Sequence, residues 1–321
     1  MYSIGIDLGG TNIAAGIVDE NSKIIIKGSV PTGRTRSFDE ILADMVELLR
    51  KLLKDAGIDE SEVLSIGIGC PGNVDMKNKS VLYANNIPSF NNAPIGKELK
   101  RHFENMDIYV ENDANAAAYG EYIAGAAKDN KDIIAITLGT GVGGGIIIDG
   151  KIYGGVNYAG AEFGHMVIEP GGVPCSCGRC GCWEQYASVT ALISQTEEKI
   201  KKYPDSKIHE MIKKDGKISG RTAFDAMRSG DIAGKEIVDD FIRHIAVGTI
   251  NLINIFQPEK IVIGGGISKE GDTILVPLKK FIDNEEYARD MENLSRTKVV
   301  MAELGNDAGI IGAAMLYKQT Q

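Results

Sequence analysis

The chain has 321 residues, long enough for two domains of ordinary size, and its 43 % hydrophobic and 25 % charged residues are the balance of a globular protein. A net charge of −9 argues against a nucleic-acid surface, which needs clustered lysine and arginine. No apolar run approaches the roughly 18 residues of a membrane span. Met1 runs into a strand pattern without a basic and apolar leader, so no signal peptide is expected, and a cytoplasmic location is.

In chain order, residues 2–8, 12–18 and 23–30 alternate as three short strands, with Gly9-Gly10-Thr11 as a hairpin turn between the first two. Helical spacing of Ile41, Leu42, Met45, Leu48, Leu49, Leu52 and Leu53 predicts a helix over 38–56, ended by Gly57. A strand over 63–69 stops at Cys70-Pro71-Gly72. A helix over 94–103, a strand over 108–111 and an alanine-rich helix over 114–127 follow. Strands over 132–138 and 145–148 then flank the glycine run 139–145, echoing the opening strand–turn–strand and predicting two related α/β halves. Residues 188–257 read as mostly helical. A buried strand over 261–263 ends in Gly264-Gly265-Gly266, a last strand covers 298–302, and a closing helix covers 308–317.

Glycine turns at strand ends let backbone N–H groups approach a ligand, which is how a backbone cradles phosphate. Each of the turns 9–12, 139–145 and 264–266 is explained equally well as a tight hairpin, but three in one chain, two carrying a threonine, point to a nucleotide. None fits the P-loop or the dinucleotide fingerprint. Asp7, at the end of the first strand, is a candidate Mg²⁺ carboxylate; the alternative is a turn residue capping its own backbone. Asp113, at a strand–helix junction, is either an N-cap or a general base able to accept the proton of an alcohol during phosphoryl transfer.

Four of the five cysteines, Cys175, Cys177, Cys180 and Cys182, lie within eight residues, and His165 stands ten residues upstream of the first. Thiolate and imidazole are the ligands zinc prefers, and four close a structural site. One histidine and three cysteines suffice, leaving Cys180 or Cys182 as the spare. Cys70 reads as core. The metal would draw Glu162 and Glu184 together into a pair suited to sugar hydroxyls. A glycosidase acid/base couple is the competing reading, but it has no use for three phosphate turns.

Together these residues resemble the ROK family (repressors, open reading frames and kinases) over essentially the whole chain. Asp7-Leu-Gly-Gly-Thr-Asn12 looks like its first phosphate motif, Leu138-Gly-Thr-Gly-Val-Gly-Gly-Gly145 its second, and Ile263-Gly-Gly-Gly266 its adenosine-side motif. Glu111-Asn-Asp-Ala-Asn-Ala116 matches the segment with the catalytic aspartate, and Glu162-x-Gly-His165 the sugar motif. Cys175-x-Cys-Gly-x-x-Gly-Cys182-x-Glu184 matches the zinc motif. Asn85-Asn86-Ile-Pro-Ser-Phe90 resembles the sugar loop, with Phe90 where tryptophan is usual.

The resemblance implies a two-domain α/β fold of the hexokinase–actin, ribonuclease H-like type with a cleft between the domains. The small domain would be residues 1–112, joined by the closing segment 308–321, and the large domain 113–307. It implies Asp113 as base; Asn86, Asn112, Asp113, Glu162, His165 and Glu184 on the sugar; and Asp7, Gly9, Gly10, Thr11, Asn12, Gly139, Thr140, Gly141, Gly264, Gly265 and Gly266 on the nucleotide. His165, Cys175, Cys177 and Cys182 would hold structural Zn²⁺, with Mg²⁺ arriving on ATP. The run Gly181-Cys-Trp-Glu-Gln-Tyr-Ala-Ser188 resembles the glucokinase branch, which implies ATP-dependent phosphorylation of the glucose 6-hydroxyl by a homodimer or larger homo-oligomer. The alternatives are a kinase for fructose, N-acetylglucosamine or N-acetylmannosamine, and a sugar-sensing repressor. A repressor would need a DNA-reading helix-turn-helix ahead of the first phosphate motif, where six residues stand.

Overall fold

The computed structural model describes residues 1–84 and 86–320. Its elements are β1 (Tyr2–Leu8), β2 (Asn12–Asp19), β3 (Ile24–Pro31), α1 (Phe38–Ala56), β4 (Val63–Cys70), β5 (Asn73–Asp75), β6 (Ser80–Tyr83), α2 (Ile95–His102), β7 (Asp107–Asn112), α3 (Asp113–Ala124), β8 (Ile133–Leu138), β9 (Val142–Ile148), β10 (Lys151–Ile152), α4 (Glu184–Ala187), α5 (Val189–Ile200), α6 (Ile208–Asp215), α7 (Thr222–Arg228), α8 (Ile232–Phe256), β11 (Lys260–Gly264), α9 (Asp272–Glu285), β12 (Lys298–Met301) and α10 (Ala308–Ala314).

One sheet has the order β3-β2-β1-β4-β7 and another β10-β9-β8-β11-β12. In both, a hairpin extends one side of the first strand and two later strands extend the other, so the echo read in the sequence is a repeated topology. The chain divides into two compact units. The first comprises residues 1–135, 144–161 and 302–321; the second comprises 136–143 and 162–301. The alanine-rich helix α3, expected to open the second domain at residue 113, packs within the first unit.

Glycine explains why. In α10, Gly312 lies so close to α3 that a side-chain carbon there would overlap the Ala116 carbonyl, and one on Gly120 of α3 would overlap that of Ala308. Gly5 of β1 and Gly67 of β4 meet α10 backbone at Ile310 and Ala313 in the same way. Helix, helix and sheet thus pack backbone to backbone. We expect Gly312→Ala to destabilise the protein. Alanine gains about 1 kcal/mol of helix propensity, but the atom it strikes is backbone, and overpacking costs about 1–3 kcal/mol. Thermal unfolding of the variant should come several degrees lower; an unchanged midpoint would contradict this packing.

α1 matches its predicted span because its ends are written locally. Ser37 and Glu40 form a reciprocal capping box, and Gly57 closes the helix at φ 67°. Several features differ from expectation, among them the helix α9 and the two-residue strand β10, neither of which the sequence pattern announced. β9 starts at Val142 rather than Gly145, since a strand of glycines has no side-chain alternation to read; Gly145 is glycine because Ala118 and Asn115 press on it. The hairpin β5–β6 has strands of three and four residues, too short for a periodic signal. The closing helix ends at Ala314 and continues as a 3-10 turn over Leu316–Thr320, where Gln319 docks on Gly150 and Ile152.

Candidate active site

In the first unit, the C-terminal ends of the parallel strands β1, β4 and β7 lie side by side, with Asp7 opposite Gly69 and Gly69 opposite Glu111. Three acidic groups therefore gather around one buried thiol. Burial first, and then the charge of Asp113, push the Cys70 thiol far up, which makes it inert core. Burial also raises the Asp7 carboxyl. The first glycine turn is closed by Gly9 N–H donating to Asn12 O at 3.0 Å. It is clamped by Thr32, whose hydroxyl donates to Gly9 O at 2.6 Å and whose N–H donates to Thr11 O at 2.9 Å. Thr11 and Asn12 are exposed on its rim. Asn86 lies against the turn: a side-chain carbon on Gly10 would sit 3.4 Å from its Cβ. Asn85 lies outside the described residues.

The helix cap here is Asn112. Its Oδ1 accepts from Ala114 N–H at 2.9 Å and Asn115 N–H at 3.1 Å, and its Nδ2 donates to Gly72 O at 3.0 Å. At most one amide N–H of Asn112 remains for a sugar. Asp113, read from sequence as a cap or a base, is the first residue of the helix proper, with its carboxylate at the positive end of the helix and accepting from Ala114 N–H at 2.9 Å.

In the second unit, the ligand atoms of His165, Cys175, Cys177 and Cys182 lie within 4.8 Å of one another. Cys175 Sγ is 3.6 Å from His165 Nδ1, and Cys177 Sγ is 3.6 Å from Cys182 Sγ. With Zn–S near 2.3 Å, tetrahedral angles place neighbouring sulfurs about 3.8 Å apart, so the donor set fits zinc. Cys180 is exposed and outside the quartet. Burial, and then hydrogen bonds with Cys177 and Cys175 that favour the protonated form, push Cys182 up to about 12; a divalent cation would take the place of that proton. The loop is shaped by Gly178 at φ 86° and Gly181 at φ 82°, the latter pressed on the Glu169 carbonyl. Trp183, fully buried, anchors it. The indole donates to His244 O at 2.7 Å and its ring fills the space that a side chain on Gly248 of α8 would need.

The next residue, Glu184, reaches the second glycine turn. Its Oε2 accepts from Val142 N–H at 3.0 Å and occupies the volume a side chain on Gly141 would take. Gly164, between Glu162 and His165, presses on the Val142 carbonyl. The two carboxylate-bearing segments expected to converge thus meet the same residue, 22 positions apart in sequence. The turn is held from α5, where Val189 N–H donates to Gly139 O at 2.8 Å and Thr190 Oγ1 to Thr140 O at 2.7 Å. Gly265, at φ 86°, packs on the Leu138 carbonyl, which sets the third glycine run beside the second.

Sequence reasoning passed over Glu111, 1 % exposed at the end of β7. The signal was present: an acid inside a parallel strand, whose both faces are normally apolar, is out of place.

The chain matches the family described as the ROK family over residues 3–320. It is 35 % identical to a glucokinase of Halalkalibacterium halodurans over 100 % of this chain and 96 % of that protein. It is 36 % identical to one of Thermotoga maritima over 98 % and 97 %. A ROK family glucokinase of Streptomyces griseus, solved in complex with glucose and AMPPNP, superimposes with a TM-score of 0.81 at 36 % identity, covering 99 % of this chain and 100 % of that one. The fold is the two-domain, actin-like α/β fold expected from the sequence.

Proposed function

The chain belongs to the ROK family, and we propose that it is an ATP-dependent glucokinase, transferring the γ-phosphoryl group of ATP to the 6-hydroxyl of glucose. The observation that carries this is its full-length likeness to a glucokinase solved with glucose and an ATP analogue.

In this reading Asp113 accepts the proton of the 6-hydroxyl as that oxygen attacks phosphorus. The strand–helix junction fixes its carboxylate, so the hydroxyl meets an oriented base. Asn86, the remaining N–H of Asn112, Glu162 and Glu184 hold the other hydroxyls. His165 turns Nδ1 to the sulfurs, which leaves Nε2 for the sugar. The turns 9–12 and 139–141 supply N–H groups and threonine hydroxyls to the phosphates, and the glycines 264–266 flank the adenosine. Mg²⁺ would arrive with ATP and neutralise developing charge, and Asp7 is the carboxylate we assign to it. Zinc would be structural, since four protein ligands leave no open position. A cytoplasmic homo-oligomer is part of the same reading, supported by the family resemblance.

Amide and carboxylate groups suit the hydroxyls of an unmodified hexose, whereas a 2-acetamido group is larger and its methyl needs an apolar wall. The specificity constant for glucose should therefore exceed those for N-acetylglucosamine and N-acetylmannosamine by at least ~10-fold. A coupled assay across the sugar panel measures this, and an amino sugar as the better substrate would overturn the glucokinase reading.

A further inference from the structure

Glu111 is buried to 1 % exposure and Asn115 to 6 %. Glu111 Oε1 accepts two hydrogen bonds, from Asn112 N–H at 2.8 Å and from Asn115 Nδ2 at 3.0 Å. The other oxygen of each group, Glu111 Oε2 and Asn115 Oδ1, is buried and has no hydrogen-bond partner among the described residues. Two orphaned oxygens on a pair already joined by one hydrogen bond are costly, and an ionised carboxylate has no hydrogen to offer either of them. A carboxylic acid does. Acid and amide can then join by two hydrogen bonds in a ring, amide N–H to acid C=O and acid O–H to amide C=O. The first of these is in place. The backbone of β9 closes the site, since a side-chain carbon on Gly145 would sit 3.0 Å from Asn115 Oδ1.

We propose that Glu111 is held as the neutral acid, its proton on Oε2 shared with Asn115 Oδ1, and that it is a positioning residue for Asp113. Through Oε1 it fixes the N–H of Asn112, the cap of α3, and the side chain of Asn115 one turn in, so the start of the helix that carries Asp113 is held on the end of β7. Being neutral, it adds no second charge where Asp113 and the phosphates of ATP must coexist. The carboxyl groups of Asp7 and Asp113 and the thiol of Cys70 face the same region, and burial raises the Glu111 carboxyl in keeping with this. The positioning role rests on Asp113 being the base; the protonation state does not.

Glutamine reproduces the neutral acid, with its amide N–H donating to Asn115 Oδ1. Glu111→Gln should keep kcat within about 3-fold and leave the acid limb of the kcat/KM profile in place. The sign of the stability effect is diagnostic. An acid whose folded form holds its proton more tightly than the unfolded chain loses stability as pH rises above the unfolded glutamate range, and glutamine does not. The melting temperature of Glu111→Gln should match wild type near pH 4.5 and exceed it by about 2 °C or more at pH 8. A carboxylic-acid carbonyl band should persist in the infrared spectrum of the wild type at pH 8 and vanish in the variant. Glu111→Ala, which loses both bonds, should lower kcat at least ~10-fold with a smaller change in KM.

A variant Glu111→Gln that is less stable than wild type at pH 8, with no acid band lost, would overturn the neutral-acid assignment. Loss of the band with kcat of Glu111→Ala unchanged would overturn the positioning role alone. Neither result depends on which sugar is phosphorylated.

Discussion

Asp113→Asn is expected to lower turnover with glucose by at least ~100-fold, about 2.7 kcal/mol of transition-state stabilisation, while glucose binding changes much less. The substitution keeps size and hydrogen bonding but removes the ability to accept a proton. The structure makes this a clean experiment. The cap of α3 is Asn112, which keeps its bonds to Ala114 and Asn115 N–H whatever occupies position 113, so the helix should start in the same place. Steady-state kinetics with glucose titrations followed by intrinsic fluorescence separate the two effects; Trp183 is the single tryptophan. More than a tenth of wild-type turnover would remove Asp113 from the role of base.

Cys177→Ser is expected to lose zinc and, with it, glucose affinity by at least ~10-fold, the lower range for disturbing the support of a site. A serine hydroxyl does not ionise near neutral pH, and three ligands hold zinc far less tightly than four. The consequence for the sugar follows from the chain path. Cys182 precedes Trp183, whose ring is locked against Gly248, and Glu184, whose carboxylate sits on Val142 N–H. His165 both joins the quartet and ends the turn that begins at Glu162. Freeing the metal frees both approaches to Val142 together. Cys180→Ser should keep the metal, because that thiol stands outside the quartet. Elemental analysis of the purified variants gives the answer; equal zinc in wild type and Cys177→Ser would reject the ligand set.

Much of this was legible in the sequence, wherever the cause is local. The span of α1 is written in a capping box, a glycine and an apolar stripe, all interactions within four residues of chain. β3 shows the alternation of a strand open to water on one face, and the cysteine cluster is a chelate by proximity alone. The strand–turn–strand echo was visible for the same reason, since each copy is a local motif.

What depends on approach between distant segments was not. The residue spacing could not say which cysteine is spare, because sequence order does not order sulfurs in space; the fold of the loop at Gly178 and Gly181 does. Nor could it say that α3 belongs with α10, a contact made possible by glycines whose lack of a side chain leaves no periodic trace. The use of Gly141 to admit Glu184, from 43 positions away, is of the same kind. So is the pair Glu111–Asn115: its spacing is local, but its burial is tertiary, with Gly145 of β9 lying against Asn115, and burial is what makes an ionised carboxylate costly there. The sequence by itself determined most of the longer elements, the inventory of chemical groups and the family they resemble. The tertiary structure decided which groups meet and which are shut away from water, because both depend on packing between residues that local propensity never brings together.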